Sequence, residues 1–223
     1  MKDPTLTSIE NYYGRFRFPG GIKFYPLDYL STFSAKRSVS SRFGGVVKTK
    51  QGERIAFESG GERREILRAL HILDAHAIKT QVIELVTPSG KRFYPDLVVQ
   101  LQDGQILLIE IKHIMDFIWD EVIEKYQTMM RYCQKMGWGC ALLDGKWKDF
   151  HYVEAGNTLH FPQVIEWIET NLIKKNCFTL KDLRAKFPQE KYWSTVVGYC
   201  LMNGYRTHVS FRHPAWAIER KSP

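Results

Sequence analysis

The run from Tyr94 to Lys112 constrains the chain more than any other stretch. Two strand-like apolar segments, Tyr94 to Leu101 and Gln105 to Lys112, flank a Gln102-Asp103-Gly104 turn. Asp-Gly between such segments is a hairpin signal. Thirteen residues separate Asp96 from the triplet Glu110-Ile111-Lys112, so a hairpin of this span sets both at neighbouring strand ends. Glu110 and Lys112 are two apart, and side chains two apart on a strand leave the same face. They interrupt a segment, Leu108-Ile109 and Ile111, that otherwise looks buried. Unpaired charges there would be costly, and a metal cluster offsets the cost.

Around this hairpin the pattern is α/β. Ser59 can cap a helix over 59–75, with Glu62 closing a capping box and Ile66, Leu67, Leu70 and Leu73 at helical spacing. Val82 to Val86 reads as a strand, and Thr87-Pro88-Ser89-Gly90 as a turn. A long helix over 115–136 and a short apolar strand, Gly139 to Leu143, follow the hairpin. The order α-β-β-β-α-β predicts a mixed sheet flanked by helices. From about residue 156 the pattern changes. Pro162 to Ile173 is amphipathic, Thr179 and Asp182 form a second capping box, and Tyr192 to Met202 is a third helix stopped by Asn203-Gly204. Tyr205 to Phe211 then suits a β-wing, which makes this region winged-helix-like. The expected domains are an arm over 1–45, an α/β domain over 46–155 and a C-terminal domain over 156–223.

The arm is rich in Gly, Pro, Ser, Tyr and basic residues, as in Tyr13-Gly14-Arg15-Phe16-Arg17-Phe18 and Ser34-Ala35-Lys36-Arg37-Ser38. Interleaved aromatics and cations suit contact with nucleic acid. They equally suit packing on the arm's own domain or on a partner subunit. The 223 residues carry a net charge of +8, which favours an acidic partner, and phosphate backbones are the commonest. Four cysteines without a C-x-x-C pair argue against structural zinc and fit reduced thiols in a cytosolic protein. No secretory segment is evident, and no apolar stretch approaches the ~20 residues of a membrane span.

The charged residues of the hairpin make a chemical set. Phosphodiester hydrolysis needs a positioned water and stabilisation of charge on phosphate and leaving oxygen. Mg²⁺, or Mn²⁺ in its place, supplies much of this from carboxylate and water oxygens. Asp96 would be the central ligand, with Glu110 and the carbonyl of Ile111 beside it. Lys112 can orient or deprotonate the water and stabilise the transition state. Glu62, at a helix start, can supply a third carboxylate. Glu58, four residues earlier, competes for that role.

These motifs match the PD-(D/E)xK nuclease superfamily. The segments Arg42-Phe43-Gly44-Gly45-Val46-Val47-Lys48, Ile55-Ala56-Phe57-Glu58-Ser59-Gly60-Gly61-Glu62-Arg63 and Arg92-Phe93-Tyr94-Pro95-Asp96 resemble the TnsA family over about residues 40–145. TnsA is the endonuclease subunit of heteromeric cut-and-paste transposases. The resemblance implies a restriction-endonuclease-like fold with a winged-helix-like C-terminal domain, and Glu62, Asp96 and Lys112 as catalytic residues. Some family members have Gln at the position of Glu110; Glu here agrees with the general superfamily motif. The implied activity is Mg²⁺-dependent hydrolysis of the non-transferred strand at the 5′ ends of a transposon, in the bacterial cytoplasm. The implied partners are double-stranded DNA at transposon ends, a DDE-type transposase and an AAA+ regulator ATPase contacting the C-terminal region. Some relatives work with CRISPR-guided targeting.

Two other readings stand beside this one: an autonomous restriction- or repair-type nuclease, and a DNA-binding assembly factor with a silent nuclease fold. Among the remaining residues, His113 reads as structural or as a phosphate contact. Asp116, Asp120 and Glu121 read as a solvated helix face. Lys125 and Gln127 are candidate phosphate contacts, and Tyr192, Trp193 and Tyr199 read as core.

Overall fold

The computed structural model describes residues 14–34, 44–49, 52–146 and 148–219. Arg42, Phe43 and most of the arm's motifs, including Tyr13 and Ala35 to Ser38, lie outside these residues. The chain divides into two compact units, one within 1–112 and 125–147, the other within 113–124 and 148–223.

The first unit is built on a mixed four-stranded sheet. Its strands are β3 (Ala77–Thr80), β6 (Leu97–Gln100), β7 (Ile106–Ile111) and β8 (Gly139–Leu143), in spatial order β3-β6-β7-β8. β6 and β7 form the expected antiparallel hairpin, with Leu97 opposite Ile109. β8 runs parallel to β7 and sets Leu142 opposite Glu110. Two antiparallel pairs accompany the sheet: β1 (Gly45–Lys48) with β2 (Arg54–Phe57), and β4 (Leu85–Val86) with β5 (Arg92–Phe93). Helix α1 (Gly60–His71) lays Ile66 and Ala69 against Leu97, Val99, Leu107 and Ile109. Leu67 and Leu70 pack at the border of that core, as their spacing predicts. Helix α2 (Asp120–Met136) contributes buried Tyr126, Met129 and Cys133 to this unit.

Three expected elements differ. The helix expected over 115–136 begins at Asp120, after a 3₁₀ turn over Ile114–Ile118. The stretch Val82 to Val86 is not a sheet strand. Ala77–Thr80 takes that place, and only Leu85 and Val86 pair, in a separate hairpin. Gln81 has φ 52°, a left-handed turn that ends β3. Val82 and Ile83 are buried all the same, so their apolar character reflects packing rather than strand pairing. Helix α1 stops at His71 rather than 75, because Asp74 adopts φ 49°.

Residues 14–34 pack on the first unit. Arg17 exchanges two backbone hydrogen bonds with Cys140 of β8, at 2.9 and 2.8 Å. Tyr25, Tyr29 and Phe33 surround buried Trp138, with ring centroids 6.1–6.4 Å from it. Of the readings open for the arm, this part takes packing on its own domain.

The second unit carries α3 (Phe150–Glu154), α4 (Pro162–Lys175), β9 (Cys177–Thr179), α5 (Leu180–Lys186), α6 (Trp193–Met202) and β10 (Ala217–Glu219). Thr179 and Asp182 form the predicted capping box at the start of α5. Gly204, at φ 71°, follows α6 as expected. Tyr205 to Phe211 does not form a hairpin. Thr207 makes one isolated bridge to Trp119, and the strand lies later, where Ala217 pairs with Thr179. Asp116 is not on a solvated face. It is buried in a 3₁₀ turn, and its Oδ1 accepts from the Phe211 N–H at 2.8 Å. No helix among the described residues is long and apolar enough to cross a membrane.

The β6–β7 turn yields a stability test. Gly104 has φ 86°, and a Cβ there would lie 2.3 Å from the Tyr25 carbonyl oxygen, in the loop that Gly104 also hydrogen-bonds. Gly90 has φ 81° but open space around it. Gly90→Ala is therefore expected to cost only the left-handed penalty, about 1–2 kcal/mol. Gly104→Ala is expected to cost at least ~1 kcal/mol more through overpacking. Urea unfolding of both variants checks the difference.

Candidate active site

The hairpin register carries the site. One step beyond the Leu97–Ile109 pair, Asp96 and Glu110 face each other across the two strand ends. Pro95 has no N–H to extend the ladder. The Ile111 N–H instead donates to Asp96 Oδ2 at 2.7 Å, which fixes the carboxylate against β7. Lys112 follows β7 and returns on the face of Glu110. Its Nζ stands 2.5 Å from Glu110 Oε1 and 3.8 Å from Asp96 Oδ2, and it donates to the Ile111 carbonyl at 3.1 Å. Asp96, Glu110, Ile111 and Lys112 are thus one cluster, as the spacing implied.

Glu62 enters from α1. Ser59 caps the helix, its Oγ accepting from the Glu62 N–H at 3.1 Å. The return half differs from the expected box. Glu62 Oε1 accepts from the Ser59 hydroxyl and Oε2 from the Glu58 N–H, each at 2.9 Å, rather than from the N–H of Ser59. Glu58 itself lies in a bend before the helix, so the two acids do not share a helix face. The carboxylate of Glu62 is held in place and stands close enough to Asp96 for each charge to oppose the other.

The electrostatics follow from burial. Asp96 is pushed up to about 7, first by desolvation, then by Glu110; Lys112 and the Ile111 N–H pull the other way. Glu62 is raised by burial and by Asp96, against its hydrogen bonds to Glu58 and Ser59. Like charges at short range resist joint ionisation, so the cluster retains protons where isolated acids would have lost them.

The donor set suits a hard divalent cation: carboxylates of Glu62, Asp96 and Glu110, and the carbonyl of Ile111. Glu110 adds a specific sign. Its Oε2 is buried and has no hydrogen-bond partner among the described residues, a costly state that a cation would relieve. As they stand, no three acidic, His or Cys side chains among the described residues are gathered closely enough to form a ligand shell. The ammonium of Lys112 lies against two of the three acids instead.

Sequence reasoning missed the support beneath Glu62. Arg64 Nε donates to the Gly145 carbonyl at 2.5 Å, and Arg68, paired with buried Glu65, donates to the Lys146 carbonyl. A Cβ on Gly145 would lie 2.8 Å from Gly61 Cα, so two glycines allow the start of α1 to touch the end of β8. No local pattern signals this contact, because its partners are 84 positions apart (145 less 61). His113 is structural within the second unit: its ring stacks on Phe211 at 4.1 Å and its Nδ1 accepts from the Met115 N–H. Lys125 lies over the Phe93 ring at 5.9 Å, and Gln127 is exposed. Trp193 is core, whereas Tyr192 and Tyr199 are half-buried.

A raised carboxyl makes the fold more stable when protonated. Without metal, stability is expected to be fullest below the unfolded-state value near 4, to fall as pH rises through about 7, and to level above that. Asp96→Asn keeps an acceptor for Ile111 and is expected to remove most of the fall. Urea unfolding in EDTA from pH 4.5 to 8.5 checks this; an equal fall in both proteins would assign it to other groups.

No protein-family model matches this chain, and a comparison with curated proteins finds no similar sequence.

Proposed function

We propose that the chain is a metal-dependent DNA endonuclease of the TnsA kind, hydrolysing the non-transferred strand at the 5′ ends of a transposon. The observation that carries the reading is the meeting of Asp96, Glu110 and Lys112 at two neighbouring strand ends, with a buried oxygen of Glu110 that has no hydrogen-bond partner among the described residues. A core of α1, the antiparallel β3, β6 and β7, and a parallel β8 supports a restriction-endonuclease-like reading of the first unit. The order α4-β9-α5-α6-β10, with β10 paired to the strand between the first two helices, supports a winged-helix-like reading of the second.

Glu62, Asp96, Glu110 and the Ile111 carbonyl would hold Mg²⁺ or Mn²⁺. The ion supplies charge neutralisation at the phosphate and a more acidic water. The chain's own groups do the rest. The Ile111 N–H orients Asp96, and Asp96 and Glu110 leave Lys112 anchored beside them. Lys112 keeps about a quarter of its side chain exposed, so its ammonium can meet a phosphate oxygen and orient a water. Water adds to phosphorus, the bond from phosphorus to the 3′ oxygen breaks, and that oxygen takes the proton. The products are a 3′-hydroxyl and a 5′-phosphate. A DDE-type transposase would cut the other strand, and an AAA+ regulator would contact the C-terminal region.

The open arrangement of the acids favours one second reading, a silent DNA-binding assembly factor. Reconstitution on DNA carrying transposon ends, with the transposase and Mg²⁺, separates the two. The wild type is expected to cut the 5′ strand, and Asp96→Ala and Lys112→Ala to lose about 10³-fold or more in rate. Cutting that persists in Asp96→Ala would refute the site. Absence of cutting by the wild type, with DNA binding intact, would support the silent factor.

Gly145→Ala tests the support of Glu62. Displacing α1 by about 1 Å is expected to slow cleavage about 10²-fold while leaving DNA affinity unchanged. Single-turnover cleavage and DNA binding, measured on the same variant, check both halves.

A further inference from the structure

The second unit contains a cleft of about 750 Å³ between α5 and the turn at 211–214. Cations line both sides, Lys181 and Arg184 from α5 and Arg212 from the turn, where the imidazole of His213 stands beside them. All four are exposed, and the described lining includes no carboxylate. Phe211 and Pro214 contribute apolar wall. The acid nearest in sequence, Asp182, is engaged elsewhere; its Oδ2 accepts from the Thr179 N–H at 2.9 Å and from the Thr179 hydroxyl at 2.7 Å.

The cleft is built in advance. The Arg184 guanidinium lies 5.9 Å from the ring centroids of both Trp193 and Phe211, and aromatic backing holds such a group while its N–H edge remains available for oxygen. The turn is fixed by the His213 N–H donating to the Ser210 carbonyl at 2.8 Å and the Trp216 N–H to the His213 carbonyl at 3.0 Å. His213 Nδ1 accepts from the Ala215 N–H at 3.1 Å, which leaves Nε2 as the ring's proton-bearing nitrogen.

The geometry points to this cleft as a seat for the phosphodiester backbone of DNA, held by Lys181, Arg184, Arg212 and His213. The inference rests on the endonuclease reading for the identity of the polyanion. The usual reading surface of a winged helix, its third helix, is not available for that task. In α6 Trp193 to Gly198, Cys200 and Leu201 are all buried, and the helix carries no cation. The cations that flank a groove stand instead on α5 and the turn. Cations facing one another across a groove follow a charged backbone without reading its sequence.

Fluorescence anisotropy with the full chain and a 30-base-pair duplex of arbitrary sequence, in EDTA, tests the seat apart from catalysis. Lys181→Ala combined with Arg212→Ala is expected to weaken binding about tenfold and to reduce the salt slope by about 2. Lys174→Ala combined with Lys175→Ala removes two exposed cations outside the cleft lining and is expected to change affinity less than twofold. An unchanged cleft variant, or equal losses in both, overturns the proposal. So does charge-matched poly-glutamate binding the wild type as tightly as the duplex, since the cleft would then be a seat for acidic peptide. Asp96→Ala is expected to bind DNA like the wild type and not to cleave it. If it cleaves, the endonuclease reading fails while the binding result stands.

Discussion

A single hydrogen bond, from the Ile111 N–H to Asp96 Oδ2, joins the fold to the site. Pro95 ends the ladder between β6 and β7, and the side chain of Asp96 takes over where the backbone stops. A register slip by one residue would send Asp96 and Glu110 to opposite faces of the sheet. The tight turn opposes that slip: the Leu101 N–H donates to the Gln105 carbonyl and the Gly104 N–H to the Leu101 carbonyl. The turn therefore fixes the register, and the register fixes the distance between the two acids.

The same cluster shows how a protein keeps charge inside a core. Glu110 is almost fully buried and survives there because Lys112 lies against it. Asp96, squeezed between burial and Glu110, holds its proton to about neutrality. Internal pairing and a retained proton both lower the cost of burying these acids. An arriving cation would compete with protons and with the ammonium, so its affinity would depend strongly on pH.

The sequence made some of this legible and hid the rest for identifiable reasons. The β6–β7 hairpin was readable because turn chemistry and apolar runs agreed at Asp103-Gly104. The Thr179–Asp182 box was readable because capping is local. β3 was not, because Ala-Ile-Lys-Thr is a weak strand signal and the more apolar Val82 and Ile83 next to it are buried without pairing. Asp116 was misplaced because a charge on a helix-like stretch is ordinarily solvated, whereas its carboxylate serves a backbone N–H nearly a hundred residues away. The glycine contact between residues 61 and 145 belongs to the same class. Its cause is tertiary, and only the meeting of two distant segments reveals it. Within the candidate site, the meeting of Asp96, Glu110 and Lys112 was legible from spacing, and the Glu58 N–H that donates to Glu62 was not.

The arm has a consequence for the sheet it covers. Among the described residues β8 has a sheet strand, β7, on one side only, so its other edge would present unpaired N–H and C=O groups. Sheets with bare edges invite strands from neighbouring molecules. Arg17 occupies that edge at Cys140, and the tyrosines and Phe33 anchor the same segment around Trp138. The segment thus acts as a seal against self-association, and its aromatic residues serve as rivets. A chain shortened through this segment would keep the acids and the lysine yet expose a sticky edge, and its loss would surface as aggregation before it surfaced as altered chemistry.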